Sequence, residues 1–191
     1  MTLGTGPSGV KLIFAHDTEV ALAAAAALVN SVDADTEQLP DVAALDDFVR
    51  RWGFTGNRDR DEAELRAVRR LRPMLRQFWE LDDEQVVESA NALLREASAL
   101  PQLVKHDGWD YHLHATPPDA PLATRMAVEA AMAVVDVVRS KELSRLRICT
   151  HPGCGNVVVD LSKNRSKRFC DAGCGNKAAA AAYRARKAER S

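Results

Sequence analysis

Apolar residues recur at helical spacing through most of the first 144 residues. Thr18 and Asp41 stand where helix N-caps are expected, and Gly53 stands where a helix is expected to end. Pro73 lies inside the third apolar stripe, so it must kink or split that helix. The pattern therefore predicts an N-terminal unit made mainly of helices. The predicted helices cover residues 18–29, 41–52, 59–80, 82–98 and 122–144.

The helical pattern is interrupted between residues 103 and 114 by alternating residues on either side of Asp107-Gly108. An Asp-Gly dipeptide between two such runs is typical of a β-hairpin with a two-residue type I′ turn. In that arrangement Tyr111 and Leu113 share an apolar face. His112 and His114 are then expected on the opposite, exposed face.

The charge of the chain changes sign towards its C-terminal end. Residues 1–138 carry 13 Lys and Arg against 23 Asp and Glu, a net charge of −10. Residues 139–191 carry 13 against 4, a net charge of +9, so the overall charge of −1 hides a strong asymmetry. An acidic body with a basic tail is suited to contact a polyanion at one end only.

All four cysteines lie in the basic tail, in two pairs that each end in Gly-Cys-Gly-Asn. Cys149 and Cys154 form the first pair, and Cys170 and Cys174 form the second. Two disulfides or one tetrahedral metal would explain this clustering, and the spacing within and between the pairs is typical of zinc. Because four thiolates leave no coordination position open, the sequence predicts one structural Zn²⁺.

Elements of a small finger are predicted around the cysteines. Val157–Val159 is typical of a strand, and Arg168-Phe169 is expected to return as its partner strand. The second cysteine pair opens a helix whose alanines recur on one face, which we expect to pack on the finger. A knuckle, a hairpin and a helix in this order are typical of a treble-clef-like zinc finger. The fold prediction is thus mainly α: an alanine-rich helical domain over residues 1–143 with one β-hairpin, then the finger over 144–191.

Basic side chains occupy much of the finger and its last helix. A short helix with alanine on one side and arginine on the other suits a phosphate backbone or a major groove. Basic residues near a helix C-terminus are also favoured by the helix dipole alone. The candidate nucleic-acid contacts are Arg165, Lys167, Arg168, Lys177, Arg184, Arg186 and Lys187.

Secretion and membrane insertion are not indicated by the sequence. The most apolar run, residues 20–29, is about ten residues long and mostly alanine, which is too short to cross a bilayer. No secretion signal is evident near the first residue. We therefore expect a cytoplasmic, reducing location without a membrane partner, which further disfavours disulfides.

An enzymatic function is not expected. His112 and His114 have a spacing that can chelate a metal, and His106 and Asp110 lie near them, but an exposed polar face also accounts for these residues. The sequence offers no nucleophile motif, phosphate loop or constellation of carboxylates. Trp52, with the other scattered aromatic residues, is expected in the core, although a small apolar ligand cavity is the alternative.

The chain resembles the bacterial CGNR zinc-finger proteins, in which an alanine-rich N-terminal domain, often called ABATE, precedes the finger. The resemblance covers residues 140–188 and extends into the body through Leu28-Val29-Asn30-Ser31, the helix near Leu45 and the final long helix. It implies a zinc-binding, DNA-binding transcription regulator linked to stress responses. The matching finger segments are 143–149, Pro152-Gly-Cys-Gly, 164–170 and Cys174-Gly-Asn-Lys177, followed by Tyr183-Arg-Ala-Arg.

Two departures from the family pattern affect the expected contacts. Lys177 stands where the motif has arginine, which keeps the charge but loses the planar, two-pronged donor. The second cysteine pair is one residue shorter than is usual in the family.

Several functions fit these features. A DNA-binding regulator with a ligand-sensing or dimerising body is the first, because specific recognition by one small finger would need a dimer. A zinc-stabilised RNA-binding or protein-interaction module is the alternative.

Overall fold

The computed structural model describes residues 13–33, 36–105 and 110–188. Within these ranges the chain forms six α-helices and four short strands, so the prediction of a mainly helical fold is confirmed. The helices are α1 (His16–Val29), α2 (Val42–Trp52), α3 (Glu62–Glu80), α4 (Asp83–Glu96), α5 (Leu122–Arg139) and α6 (Cys174–Ala188). The strands are β1 (Gln102–Val104), β2 (His112–His114), β3 (Leu146–Ile148) and β4 (Val157–Val159).

Aspartate side chains begin three of the helices. Asp41, Asp61 and Asp82 each accept a hydrogen bond from the backbone N–H three residues later, which satisfies a donor that the first helical turn leaves free. The predicted cap at Thr18 is wrong, because α1 begins earlier, at His16. Thr18 is buried in the first turn and donates its hydroxyl to Asp136 Oδ2 on α5 at 2.6 Å.

Pro73 does not split α3, which runs without interruption from Glu62 to Glu80. The proline lies on the exposed side of the helix, where water can satisfy the carbonyl that loses its intrahelical partner. The opposite side of α3 carries the predicted apolar stripe, including Leu65, Val68 and Leu75, into the core. Tertiary burial along one face thus maintains a single helix across the proline.

The long helix α5 is the central element of the body. It packs against α1, α3 and α4, and most of its side chains between Leu122 and Val137 are buried. The core also contains Leu146 from β3 and Val157 and Val159 from β4. The strands beside the first cysteine pair therefore share the hydrophobic core of the helical body.

The first hairpin pairs in a different register from the predicted one. Val104 pairs with His112 and Leu103 with Leu113, whereas a two-residue turn at Asp107-Gly108 would pair Val104 with Tyr111. The predicted turn itself lies outside the described residues. The expected faces are also reversed, because Tyr111 and Leu113 are 67% and 43% exposed while both histidines are half-buried.

The second hairpin uses a partner strand that the sequence did not predict. β4 pairs antiparallel with β3, so the two strands flank the first cysteine pair. No strand forms at Arg168-Phe169 in the described part of the finger, although the Arg168 carbonyl accepts a hydrogen bond from Thr150 N–H. The segment from residue 160 to 173 instead returns as turns to the second pair.

No helix in the described part of the chain is long and apolar enough to cross a membrane.

Candidate metal centre and nucleic-acid interface

The four cysteines converge at one point between β3, β4 and α6. Their sulfur atoms all lie within 4.8 Å of one another, and three of the four residues are buried. Cys170 is central, because its sulfur lies 3.7 Å from that of Cys154 and 3.6 Å from that of Cys174. None of the four forms a disulfide.

The spacing of the sulfur atoms fits tetrahedral zinc. Four Zn–S bonds of about 2.3 Å in a tetrahedron place the sulfurs roughly 3.8 Å apart. A disulfide would instead require one pair of sulfurs at roughly 2.05 Å. The arrangement of Cys149, Cys154, Cys170 and Cys174 could therefore hold one zinc ion, and four thiolate ligands would leave no open coordination position, as in structural zinc sites.

The local environment shifts the pKa values of three of the cysteine thiols in different directions. Burial raises the pKa of Cys149, but hydrogen bonds from the backbone N–H groups of Cys170 and His151 outweigh it and lower the pKa to about 7. Burial and the neighbouring thiols raise the pKa of Cys174 to about 12, and burial also raises that of Cys154. Zinc binding would therefore have to displace protons, most of all from Cys174.

A glycine in the left-handed region precedes the second cysteine of each pair. Gly153 has a φ of 77° and Gly173 has a φ of 80°. Residues other than glycine adopt this backbone conformation only with strain. This turn directs Cys154 and Cys174 back towards the first cysteine of each pair. The matching geometry explains why glycine precedes the second cysteine in both pairs.

Three side chains of the body fasten the first half of the finger. Asn30, at the end of α1, donates its amide to Val157 O at 2.9 Å and accepts from Val157 N–H at 2.8 Å, so its side chain mimics a neighbouring strand. Trp79 Nε1 donates to Val158 O at 3.0 Å, and Arg76 donates to Gly155 O at 2.8 Å. These bonds and the buried valines attach β4 to the helical body.

A buried polar network shapes the loop after β4. Asp160 is 0% exposed, and its carboxylate accepts the backbone N–H groups of Ser162 and Lys167, both at 3.0 Å. Burial raises the pKa of Asp160, but these hydrogen bonds and the nearby Arg147 outweigh it and lower the pKa. Arg145, itself buried, donates to the carbonyls of Asp160 and Ser162. The loop that carries Arg165 and Lys167 is thereby fixed from inside.

The helix α6 begins at a metal ligand and then leaves the rest of the protein. Cys174 is its only buried residue in the described range, and the residues from 179 to 188 are all exposed. The predicted packing of the alanine face on the finger is therefore wrong beyond Ala178, which is half-buried. The face of α6 that carries the alanines and the face that carries the arginines are therefore both exposed to solvent.

The seven predicted nucleic-acid contacts fall into two groups. Three lie in the loop before Cys170: Arg165 forms an ion pair with Glu142 at 2.6 Å, Lys167 forms one with Asp171 at 3.1 Å, and Arg168 is exposed beside the Phe169 ring. The other four lie on α6 and are exposed. These four are Lys177, Arg184, Arg186 and Lys187.

Sequence reasoning missed the residues that join the finger to the body. Asn30 lies in the segment Leu28-Val29-Asn30-Ser31, whose resemblance to the family implies no role for the residue. Asp160 directly follows three valines. An aspartate at the end of an apolar strand is the one local signal for a turn that its carboxylate stabilises. No local signal identifies Trp79, because its partner is 79 residues away in the chain.

Comparison with known families agrees with this architecture. The CGNR zinc finger model matches residues 145–187. The ABATE family model, described as "Putative stress-induced transcription regulator", matches residues 22–141, more than half of the chain. None of the curated proteins compared with the chain matches it. The chain therefore belongs to the ABATE family and carries a C-terminal CGNR zinc finger.

Proposed function

We propose that this protein is a transcription regulator that binds DNA through the basic surface of its zinc finger, while the helical body senses a ligand or forms a dimer. The observation that carries the proposal is the placement of α6. This helix starts at the zinc ligand Cys174 and presents its basic residues to solvent along its whole length. Zinc would fix the direction of the helix, and the helix would supply the contacts.

The electrostatics of the chain favour a polyanion at this end only. The finger and tail carry a net charge of +9, whereas the body carries −10 and would be repelled by phosphates. A phosphate backbone is the polyanion that isolated Lys and Arg side chains on a short helix can follow.

The four residues of α6 are the strongest candidates within the predicted set. Arg165 and Lys167 are already paired with carboxylates, so each must exchange an ion pair to reach a phosphate. In both pairs at least one partner is largely exposed, and exposed ion pairs contribute at most about 1 kcal/mol, so the exchange costs little. Because the basic residues of α6 are exposed along the helix, we expect α6 to dominate affinity and the loop to add less.

RNA is the second candidate partner, since an arginine-rich helix also suits its backbone. A protein partner would use the same exposed helix through its alanine face and Tyr183, which is 63% exposed. We propose no catalysis at the zinc, because four cysteine ligands would fill its coordination sphere.

The test is the salt dependence of binding by the zinc-loaded protein to random-sequence duplex DNA. Replacing Arg184, Arg186 and Lys187 with alanine should weaken binding and reduce the slope of log K against log salt by roughly 2 to 3, since each phosphate contact contributes about 0.9. Zinc content should not change. Duplex RNA of matched length, titrated in parallel, separates the two nucleic acids.

A matched control removes the same charge from the body. Arg66, Arg70 and Arg95 are exposed on α3 and α4, and their replacement with alanine should leave the slope unchanged. Equal losses in both triple variants would assign binding to net charge rather than to α6. Binding that ignores salt would favour a protein partner over a nucleic acid.

A further inference from the structure

The helical body contains a cavity of about 320 Å³ on the side of α5 that faces β2. This volume is at the lower end of the range of small-molecule sites, roughly 300–1,000 Å³. The start of α1, the end of α2 and the histidine face of β2 form its other walls. Much of the lining is apolar, including Trp52, Leu94 and Met132.

One face of α5 supplies two carboxylates of the cavity, those of Glu129 and Asp136. Glu129, Met132, Ala133 and Asp136 follow one another at intervals of three, one and three residues, the spacing of a single helix face. Asp17 of α1 adds another carboxylate, whereas Arg139 supplies a guanidinium from an exposed position. Three carboxylates around a mainly apolar space favour a ligand with positive charge.

The three carboxylates differ in their protein partners. Asp136 accepts the Thr18 hydroxyl, and Asp17 accepts the backbone N–H groups of Thr18 and Leu113. Among the described residues, nothing donates a hydrogen bond to the half-buried Glu129 carboxylate. Burial raises the pKa of Glu129 to about 7, Arg125 opposes the shift, and Asp17 adds to it. Glu129 is thus the acid whose hydrogen-bonding capacity remains for a ligand.

The paired histidines add polarity to the cavity and, among the described residues, belong to no group of three or more potential metal ligands. His112 Nε2 and His114 Nε2 lie 3.0 Å apart, so one ring donates and the other accepts. The only group of three or more metal-ligating side chains in the described part of the chain is the cysteine cluster. The cavity therefore fits an organic ligand better than a metal ion.

We propose that this cavity binds a small molecule with an apolar body and a cationic amino group, and that the Glu129 carboxylate holds the amino group. The proposal deepens the ligand-sensing part of the proposed function and rests on it for any effect on DNA. A route for such an effect exists in α1, which begins at the cavity with Asp17 and ends at Asn30, the residue that holds β4.

The test uses three probes with one hydrocarbon body: 2-phenylethylamine, 2-phenylethanol and 3-phenylpropionate. Each is titrated into the zinc-loaded full-length protein without DNA, and binding is followed by calorimetry and protein NMR. We expect the amine to bind at least about tenfold more tightly than the alcohol, because a charge-assisted hydrogen bond is roughly twice as strong as a neutral one. Glu129→Gln should remove this preference.

The control is Glu84→Gln, the same change at an exposed position on α4, which should leave amine binding unaltered. Circular dichroism and zinc content establish that both variants are folded. Tighter binding of the propionate, an amine affinity unaffected by Glu129→Gln, or no binding at millimolar concentrations would each overturn the proposal. So would a second equivalent of Zn²⁺ bound in a manner that His112→Ala abolishes. Because DNA is absent, these outcomes are independent of whether the finger binds DNA.

Discussion

The two halves of the zinc finger differ in what holds them. The first half, β3 and β4, shares the core of the helical body and is fastened by Asn30 and Trp79. The second half, α6, is held at one end by its ligand Cys174 and is exposed along the rest of its length. The first half brings Cys149 and Cys154 to the cluster, whereas α6 brings Cys174 and the loop before it brings Cys170.

This difference separates structural support from contact surface. The half that is buried in the body holds its two cysteines in a fixed position relative to the body. The helix α6, which leaves the body after Cys174, carries four exposed basic residues. Stability in proteins is unevenly distributed, and surfaces that bind partners are often drawn from its lower end.

Zinc removal should produce the largest difference between the two halves, measured as hydrogen-exchange protection. With Cys174→Ser, or after chelation, we expect α6 to lose hydrogen-exchange protection, because a helix of about 15 residues is marginal alone. Structural zinc contributes roughly 10–16 kcal/mol in finger peptides. The amides of β4 should stay protected, because its valines remain in the core. Exchange mass spectrometry on peptides from the two halves measures this.

The control for zinc removal is Ala179→Ser, which introduces the same residue at an exposed position of α6 and leaves the ligands intact. It should retain zinc and protection in both halves. If β4 loses protection together with α6 in the chelated protein, the finger unfolds as one unit and the proposed division is wrong.

The stability of the helical body, and of the first half of the finger attached to it, should depend on pH through Glu129. Because the pKa of Glu129 rises from 4.5 to about 7 on folding, the folded protein keeps a proton that the unfolded chain has released. Stability should therefore fall as pH rises from about 4.5 to about 7, by up to about 3 kcal/mol. Glu129→Gln should remove that loss, measured by urea unfolding at pH 5 and pH 8.

Glu84→Gln again serves as the control, because an exposed carboxyl at that position should not change the pH profile. Intrinsic tryptophan fluorescence, to which Trp79 beside β4 contributes, should follow the same profile as global unfolding. An unchanged pH dependence in Glu129→Gln would show that this acid is not the source of the loss.

Loss of the contact between Asn30 and β4 should have the smallest of the three effects on stability. Asn30→Ala removes both hydrogen bonds to Val157 and leaves a backbone N–H and C=O unpaired in a partly buried position. We expect a loss of roughly 2 kcal/mol in the free energy of unfolding and one zinc still bound. Asn91→Ala, on the exposed face of α4, is the control. A loss equal to that of the control would mean that the buried valines alone attach β4.

The first hairpin shows why part of the fold was not predictable. Its local sequence favours a two-residue turn with Tyr111 and Leu113 on the buried face. The structure instead turns His112 and His114 towards the cavity, where Asp17 of α1 accepts the Leu113 N–H. With strands of only three residues, side-chain alternation specifies register weakly, and contacts with α1 and α5 determine it.

The sequence by itself determined the zinc ligands, the main helices and the division of charge between body and finger. These features depend on local signals: thiol spacing, aspartate caps, helical periodicity and residue counts. Only the tertiary structure decided that β4 enters the core of the body, that α6 stands exposed, and that Glu129 faces a cavity. Each of these depends on which distant surfaces meet, and burial between distant segments leaves little trace in the local pattern of either segment.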